Sequence, residues 1–268
     1  MIANPHEFSG KTAVVTGGTM GIGLGAARRL AQGGCSVVIC GSREPIGLET
    51  EAALRKEGLN VRFRRADVRK SAEVKELMDF AAETFGGIDI LVNSAGVQRY
   101  GDVVETPEEV WDEVIDINLK GMFLAAKYAI PYMRKRGGGA IVNVSSVQAF
   151  ASQTQVAAYT ASKGGINALT RAMALDHAKE NIRVNAVCPA SVDTPMLRWA
   201  ADLFKGDQTQ DKIVENWGKM HPIGRVGTIE EVGELIAFLC SDRASFITGG
   251  DFKIDGGLLA ALGVMLPE

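Results

Sequence analysis

Along the chain, short runs of apolar and β-branched residues alternate with longer stretches in which apolar residues recur every three or four positions. The runs "TAVVT" (Thr12–Thr16), "SVVIC" (Ser36–Cys40), "VRFRRA" (Val61–Ala66) and "IDILVN" (Ile88–Asn93) have the length and residue types of strands. So do "AIVNVS" (Ala140–Ser145), "IRVNAV" (Ile182–Val187) and "DFKID" (Asp251–Asp255). Several are too uniformly apolar for a sheet with one wet face, which predicts parallel strands covered on both sides. Between them, Val74, Leu77, Met78, Ala81 and Phe85 share one helix face, as do Val232, Leu235, Ile236 and Leu239. Ser71 ahead of Glu73–Val74 predicts a helix start, and "TIEE" (Thr228–Glu231) has the pattern of a capping box.

Strands alternating with helices in this way predict a doubly wound α/β fold: a parallel, Rossmann-like sheet of about seven strands with helices on both faces. No proline- or serine-rich linker, repeat or low-complexity tract breaks the pattern, so residues 1–268 are expected to form one domain. The longest irregularity, at about 190–221, carries Trp199, Phe204 and Trp217 among polar residues. It is expected to be a helical excursion over the edge of the sheet. Ligands of such sheets bind beyond the carboxyl ends of the strands, so the loops after each strand are where chemistry is expected.

Composition narrows the partners. A hydrophobic content of 46% with 23% charged residues is that of a soluble globular protein. The net charge of −3 argues against nucleic acid or an anionic membrane as a partner. The basic run Arg62–Phe63–Arg64–Arg65 flanks a strand and reads as a solvated strand end. No apolar run approaches the roughly 18 residues of a membrane span. Cys35, Cys40, Cys188 and Cys240 are scattered without a C-x-x-C pair, and the first residues lack a signal-peptide pattern. A reducing cytoplasm is expected. His6, His177 and His221 lie far apart with no H-E-x-x-H, so no metal site is expected.

The first candidate chemistry is "TGGTMGIG", Thr16 to Gly23, between the first strand and the first helix. Gly17 permits a tight turn, Gly21 lets a ligand approach the backbone, and Gly23 allows the helix to pack against the strand. The helix N-terminus then offers unpaired N–H groups to a pyrophosphate. The second is "YTASK": Tyr159 and Lys163 are one turn apart and share a helix face. Ser146, upstream at a strand end, can reach the same cleft.

These motifs occur in order with "DV" (Asp67–Val68), "NSAG" (Asn93–Gly96), "DINLKG" (Asp116–Gly121), "NVSS" (Asn143–Ser146), "IRVNAVCPASVDTPM" from Ile182 and "FITGGDFKIDGG" from Phe246. With them the sequence resembles the short-chain dehydrogenases/reductases, in their shorter single-domain branch, over nearly the whole chain. The resemblance implies an NAD(P)(H)-dependent oxidoreductase acting on a carbonyl or secondary alcohol. It implies a catalytic set of Asn118, Ser146, Tyr159 and Lys163. Tyr159 is then the general acid/base, Ser146 a hydrogen-bond donor to the substrate oxygen, and Lys163 a partner of the nicotinamide ribose. Asn118 then holds a water that connects Lys163 to solvent. Chemically, an ammonium near a phenol favours the phenolate and is expected to lower the tyrosine pKa. The rival Ser145 is expected to point away on the strand's alternating pattern.

Cofactor contacts implied by the resemblance are Gly17, Thr19, Met20, Gly21, Ile22, Gly23, Ser42, Arg43, Asp67, Val68, Asn93, Ala95, Gly96, Tyr159, Lys163, Pro189, Ala190, Val192 and Thr194. Two positions depart from the family pattern: Ser94 in place of a second Asn, and Ala190 in place of a Gly after Pro189. At the end of the second strand, where NAD-preferring relatives place an Asp, stand Gly41, Ser42 and Arg43. With no carboxylate to repel a 2′-phosphate, NADP(H) is expected over NAD(H), although Met20 replaces a basic residue and Glu44 competes for Arg43.

Substrate contacts are expected from Gln98, Ser146, Gln148, Gln153 and Tyr159, with Val97, Arg99, Phe150, Ala190, Ser191, Met196 and Trp199 as further strand-end candidates. The polar members favour a small sugar, polyol, keto acid or ketone. The resemblance also implies a homodimer or homotetramer built from helices around Asp112–Tyr132 and Tyr159–Lys179. The alternative is a non-catalytic dinucleotide-binding sensor or interaction protein on the same scaffold, which is expected to lack Tyr159 or Lys163.

Overall fold

Every residue of the first strand is buried, as a strand covered on both faces must be. The structure is a computed structural model and describes residues 5–262. The first four and last six residues of the expected domain lie outside that range. Seven strands form one parallel sheet: β1 (Thr12–Thr16), β2 (Ser36–Gly41), β3 (Val61–Arg65), β4 (Ile90–Asn93), β5 (Gly139–Val144), β6 (Ile182–Pro189) and β7 (Asp251–Ile254). Their spatial order is β3-β2-β1-β4-β5-β6-β7, with Thr16 opposite both Cys40 and Asn93. The order reverses between β1 and β4, which opens the crevice where ligands of this fold class bind.

Nine helices occupy the described connections. They are α1 (Gly21–Gln32), α2 (Glu44–Lys56), α3 (Ser71–Phe85), α4 (Glu108–Ile115), α5 (Gly121–Lys135), α6 (Ala157–His177), α7 (Pro195–Phe204), α8 (Gln210–Gly218) and α9 (Ile229–Cys240). A π-helical turn, Asp116–Lys120, joins α4 to α5. Side chains alternate along the strands. Ala13, Val15, Val37 and Ile39 pack with Leu30 of α1, Leu54 of α2 and Ile236 of α9. Val14, Val38, Leu91 and Ile141 pack on the other face with Leu77 of α3, Met133 of α5 and Met173 of α6. Helices on both faces follow directly from that alternation.

The predicted capping box is present: the Thr228 hydroxyl accepts the Glu231 N–H at 3.2 Å, and the Glu231 carboxylate accepts the Thr228 N–H at 2.9 Å. Helix α3 begins at Ser71, but no side chain caps it. Ser71 Oγ hydrogen-bonds Tyr128 Oη instead, at 2.7 Å. The basic run lies on the edge strand β3, where Arg64 pairs with Glu76 and Arg65 with Glu73. No helix among the described residues is long and apolar enough to cross a membrane.

Helices α1 and α9 approach through glycines. A Cβ on Gly25 falls 2.3 Å from the Ile229 carbonyl oxygen, and one on Gly233 falls 2.8 Å from the Gly25 oxygen. Because α1 carries the glycine-rich loop at its N-terminus, this contact fixes the helix behind the loop against α9. Gly25→Ala is expected to destabilise the fold by about 1–3 kcal/mol, the cost of overpacking. Gly164, in α6, has nothing within 4 Å of such a Cβ. Gly164→Ala is therefore expected to stabilise by about 0.5–1 kcal/mol through helix propensity. Urea unfolding of the two variants checks both signs, and equal shifts contradict the packing account.

Candidate active site

The glycine-rich loop sits against the end of β4. Gly17 has φ +64° and leaves no space for a side chain, since a Cβ there lies 2.8 Å from the Ala95 backbone. Gly23 is closed in the same way by the Gly17 carbonyl at 2.2 Å. Gly21 is different: its surroundings begin at Thr194 Cγ2, 3.4 Å away, so its backbone is approachable. Helix α1 has no side-chain cap and no acidic residue in its first turn, so its N–H groups and positive dipole end remain available to an anion. This cradle fits a pyrophosphate.

Around it gather the other strand ends. Thr16 Oγ1 accepts the N–H groups of Ser94 and Ala95 at 3.1 and 3.3 Å, so Ser94 is accommodated without displacing the backbone. Gly41 lies beneath Thr19, whose Oγ1 is 3.0 Å from the position of a Cβ there. Arg43 turns its guanidinium to Met20 Sδ at 3.2 Å and makes no ion pair with Glu44 among the described residues. Asp67 is gripped by Arg69, with Nη2 to Oδ2 at 2.7 Å, which holds its carboxyl below the ordinary range. Val68 is buried beside Gly121. Asn93 ends β4. Its side chain is fully buried and donates to Asn143 Oδ1 at 2.9 Å, and Asn143 donates to Thr170. It therefore ties β4 to β5 and α6.

After β6, Ala190 donates its N–H to the Ile254 carbonyl at 3.2 Å, so the methyl group leaves the loop anchored to β7. Val192 forms an isolated bridge with Gly227. Thr194 caps α7, accepting the Leu197 N–H at 3.2 Å, with Pro195 in the first helical turn.

The candidate catalytic residues converge between β5 and α6. Lys163 is buried, donates to the Val144 carbonyl at 2.9 Å, and lies 5.3 Å from the centroid of the Tyr159 ring. The Ser146 hydroxyl neighbours the Tyr159 phenol and accepts the Gln148 N–H at 3.1 Å. Ser145 turns away, donating to the Lys163 carbonyl at 3.2 Å. A Cβ on Gly96 lies 3.4 Å from Asn118 Oδ1 and 4.0 Å from Lys163 Nζ, so the β4 loop closes the same cluster. Asn118 sits in the π-helical turn. Its amide donates to the Val97 carbonyl at 2.9 Å and Ser162 Oγ at 3.1 Å, and accepts the Val97 N–H at 2.8 Å. The Asn118 side chain thus fastens the β4 loop to α6.

Electrostatics depart from the expectation. Burial pushes Tyr159 up to about 12, with the neighbouring Ser146 hydroxyl opposing it. Burial also pulls Lys163 down to about 8. The ammonium faces the ring and the Val144 carbonyl rather than the phenolic oxygen, so desolvation outweighs its attraction for a phenolate.

Among the substrate candidates, Gln148 Nε2 donates to Gln153 Oε1 at 3.3 Å. The carbonyl of Gln98 accepts from Arg99. Arg99 is not offered to a substrate: its guanidinium makes a two-pronged ion pair with Glu113 on α4, both contacts 2.9 Å. Phe150 lies under Lys253, 4.8 Å from Nζ. Trp199 stacks on Tyr100 at 5.8 Å, and Phe204 meets the same ring edge-on at 4.7 Å. Tyr100 was not singled out from the sequence.

Known proteins resemble this chain over nearly its whole length. The family profile described as "Enoyl-(Acyl carrier protein) reductase" matches residues 17–259. D-beta-hydroxybutyrate dehydrogenase of Cupriavidus necator is 36% identical, the match covering 94% of this chain and 99% of that one. Thermoplasma acidophilum aldohexose dehydrogenase superposes with a TM-score of 0.90 at 37% identity, covering 98% and 99% of the two chains. An actinorhodin polyketide ketoreductase solved with NADPH superposes with a TM-score of 0.89 at 35% identity, covering 92% and 97%. The chain belongs to the short-chain dehydrogenase/reductase family and is an NAD(P)-dependent oxidoreductase.

Proposed function

We propose that the protein interconverts a carbonyl and a secondary alcohol on a small polar substrate, with Tyr159 as the proton donor and acceptor. One observation carries this reading: the Tyr159 phenol, the Ser146 hydroxyl and the Lys163 ammonium occupy one buried cluster beside the phosphate cradle. When bound, the nicotinamide supplies hydride to the carbonyl or takes it from the alcohol. The chain's own groups handle the proton. With its pKa raised, Tyr159 stays a phenol at neutral pH and donates its proton to the developing alkoxide. Ser146 donates a second hydrogen bond to that oxygen and stabilises its charge. Lys163 compensates the phenolate left behind, and its own burial makes the ammonium sensitive to mildly alkaline pH. Asn118 and Ser162 set the position of α6: Ser162 Oγ donates to the Tyr159 carbonyl at 2.7 Å while receiving the Asn118 amide.

NADP(H) is the favoured cofactor. Gly41 and Ser42 present no carboxylate at the end of β2, and Arg43 reaches the lip of the glycine-rich loop at Met20. A guanidinium there suits a 2′-phosphate. Exposed Trp111, Phe123 and Leu175 lie on the helices expected to form a homodimer or homotetramer. The substrate class includes sugars, polyols, keto acids and ketones.

Tyr159→Phe is expected to leave cofactor affinity nearly intact while lowering turnover by about a hundredfold or more, measured by nicotinamide absorbance. Retention of most activity removes Tyr159 as the proton donor. In steady-state kinetics with both cofactors, kcat/KM is expected to be higher with NADPH. Arg43→Ala is expected to lower the NADPH value by about tenfold, the loss of one charge-assisted contact. A higher value with NADH contradicts the assignment.

A further inference from the structure

Three N–H groups anchor the loop after β6, and only one of them meets a side chain that titrates. Ala190 donates to the Ile254 carbonyl at 3.2 Å and Asp193 to the Gly227 carbonyl at 2.9 Å, so both rest on backbone. Between them, the Ser191 N–H donates to His221 Nε2 at 3.4 Å. The far end of the loop leans on the glycine-rich cradle. A Cβ on Gly21 falls 3.4 Å from Thr194 Cγ2 and 3.9 Å from Pro195 Cδ. Movement at Ser191 is therefore passed, within three residues, to the atoms over the cradle.

His221 is 2% exposed, and its ring is held from both sides. Nδ1 lies 3.0 Å from the Trp217 carbonyl and 3.3 Å from that of Gly218, at the end of α8. Both are acceptors, so Nδ1 carries the proton, and Nε2 keeps the lone pair that receives the Ser191 N–H. Only the neutral Nδ1–H tautomer satisfies all three contacts. In the imidazolium both nitrogens donate, and Nε2–H then faces the N–H of Ser191. A cavity of about 100 Å³ adjoins the ring, with Arg225, Glu231 and Asp255 as its ionisable lining. Arg225 pairs with Glu231 at 2.6 Å, and Asp255 accepts the Gly257 and Leu259 N–H groups at 3.0 Å each. In α8, Glu215 is shared by Lys212 and Lys219, and in the loop Asp193 pairs with Arg198 at 2.7 Å. Each of these carboxylates has partners of its own, so a protonated His221 loses the Ser191 contact without gaining a free counter-ion.

We propose that His221 is a positioning residue for the cofactor: as a neutral imidazole it holds the loop after β6 over the glycine-rich cradle, and its protonation loosens that loop and weakens NADP(H) binding. This rests on the reading that the crevice takes NADP(H). Histidine is the side chain whose charge ordinarily changes between about pH 8 and pH 5, so the loosening falls in that range. The neutral form prevails at the alkaline end. Affinity is therefore full there and falls on acidification, by about fivefold for one hydrogen bond.

Fluorescence titration with NADPH at about pH 8 and about pH 5.5 compares the parent with two variants. In His221→Gln the amide oxygen still accepts the Ser191 N–H but does not titrate. On acidification the parent Kd is expected to rise by about fivefold more than that of His221→Gln. Lys163 and the 2′-phosphate of NADPH titrate in both proteins, so the difference isolates His221. His221→Leu offers no acceptor and is expected to bind about fivefold more weakly already at the alkaline pH, with the loss in KM for NADPH rather than in kcat. In the free parent, nitrogen NMR of the imidazole is expected to show the Nδ1–H tautomer, with protonation over the range in which Kd rises. This second measurement decides the matter even where a variant does not fold. An Nε2–H tautomer overturns the inference, as does an equal response of parent and His221→Gln to pH. Failure of the underlying reading looks different: the parent then binds neither NADPH nor NADH at the alkaline pH.

Discussion

A buried ammonium needs a partner, and in this fold that need is met where β5 and α6 meet. Lys163 is 5% exposed and donates to the Val144 carbonyl, the last residue of β5, with the Tyr159 ring beside it. Isolated charges are costly to bury, so this bond sets how far α6 can slide or rotate against the sheet. The serine pair that follows Val144 then divides its work. Ser145 secures the Lys163 carbonyl, and Ser146 faces the phenol. Opposite pKa shifts on the two titrating groups have one cause, because burial disfavours whichever form is charged. The phenol stays protonated and the lysine becomes easier to deprotonate. Acidification of the phenol by its neighbour, which sequence reasoning anticipates, is outweighed by this burial.

The rest of the scaffold brings partners to that cluster. Asn118 joins the loop after β4 to α6 through Val97 and Ser162, and Asn93 with Asn143 and Thr170 forms a buried amide chain between β4, β5 and α6. On the other side of the crevice, Gly17 lies so close to Ala95 that no side chain fits. The phosphate cradle and the catalytic cluster are therefore built from adjacent strand ends, β1 and β4 on one side and β4 and β5 on the other. Hydride transfer needs such a shared cleft, and relatives aligned over nearly the whole chain carry different substrates in their names.

The sheet was legible because its strands are apolar over their whole length, and the first run matches β1 residue for residue. Boundaries shifted where polar or small residues end a strand. β6 continues through Cys188 to Pro189 because those residues still pair with β7. The glycine loop and Tyr159–Lys163 were legible because their spacing fits turn geometry and helix periodicity and because they occur in order with the other strand-end motifs. What escaped depends on distant partners. Arg99 looked available until Glu113 of α4 came within reach, and Tyr100 carried no signal beyond being an aromatic residue after a strand end. Its neighbours Trp199 and Phe204 lie some hundred positions along the chain, and no periodicity announces a contact of that kind. Ser71 illustrates the same limit, since a tyrosine on another helix claims its hydroxyl.

Tyrosine and lysine titration by carbon NMR, with Tyr159 and Lys163 assigned through Tyr159→Phe and Lys163→Met, tests the buried pair most directly. A lysine of depressed pKa holds its proton below that value and loses it above, whereas a tyrosine of raised pKa keeps its proton past the ordinary value near 10. In the free protein, Lys163 is expected to titrate near pH 8 while the Tyr159 signal remains that of a phenol up to about pH 10. A Tyr159 phenolate forming well below pH 10, with Lys163 still fully charged, contradicts the account.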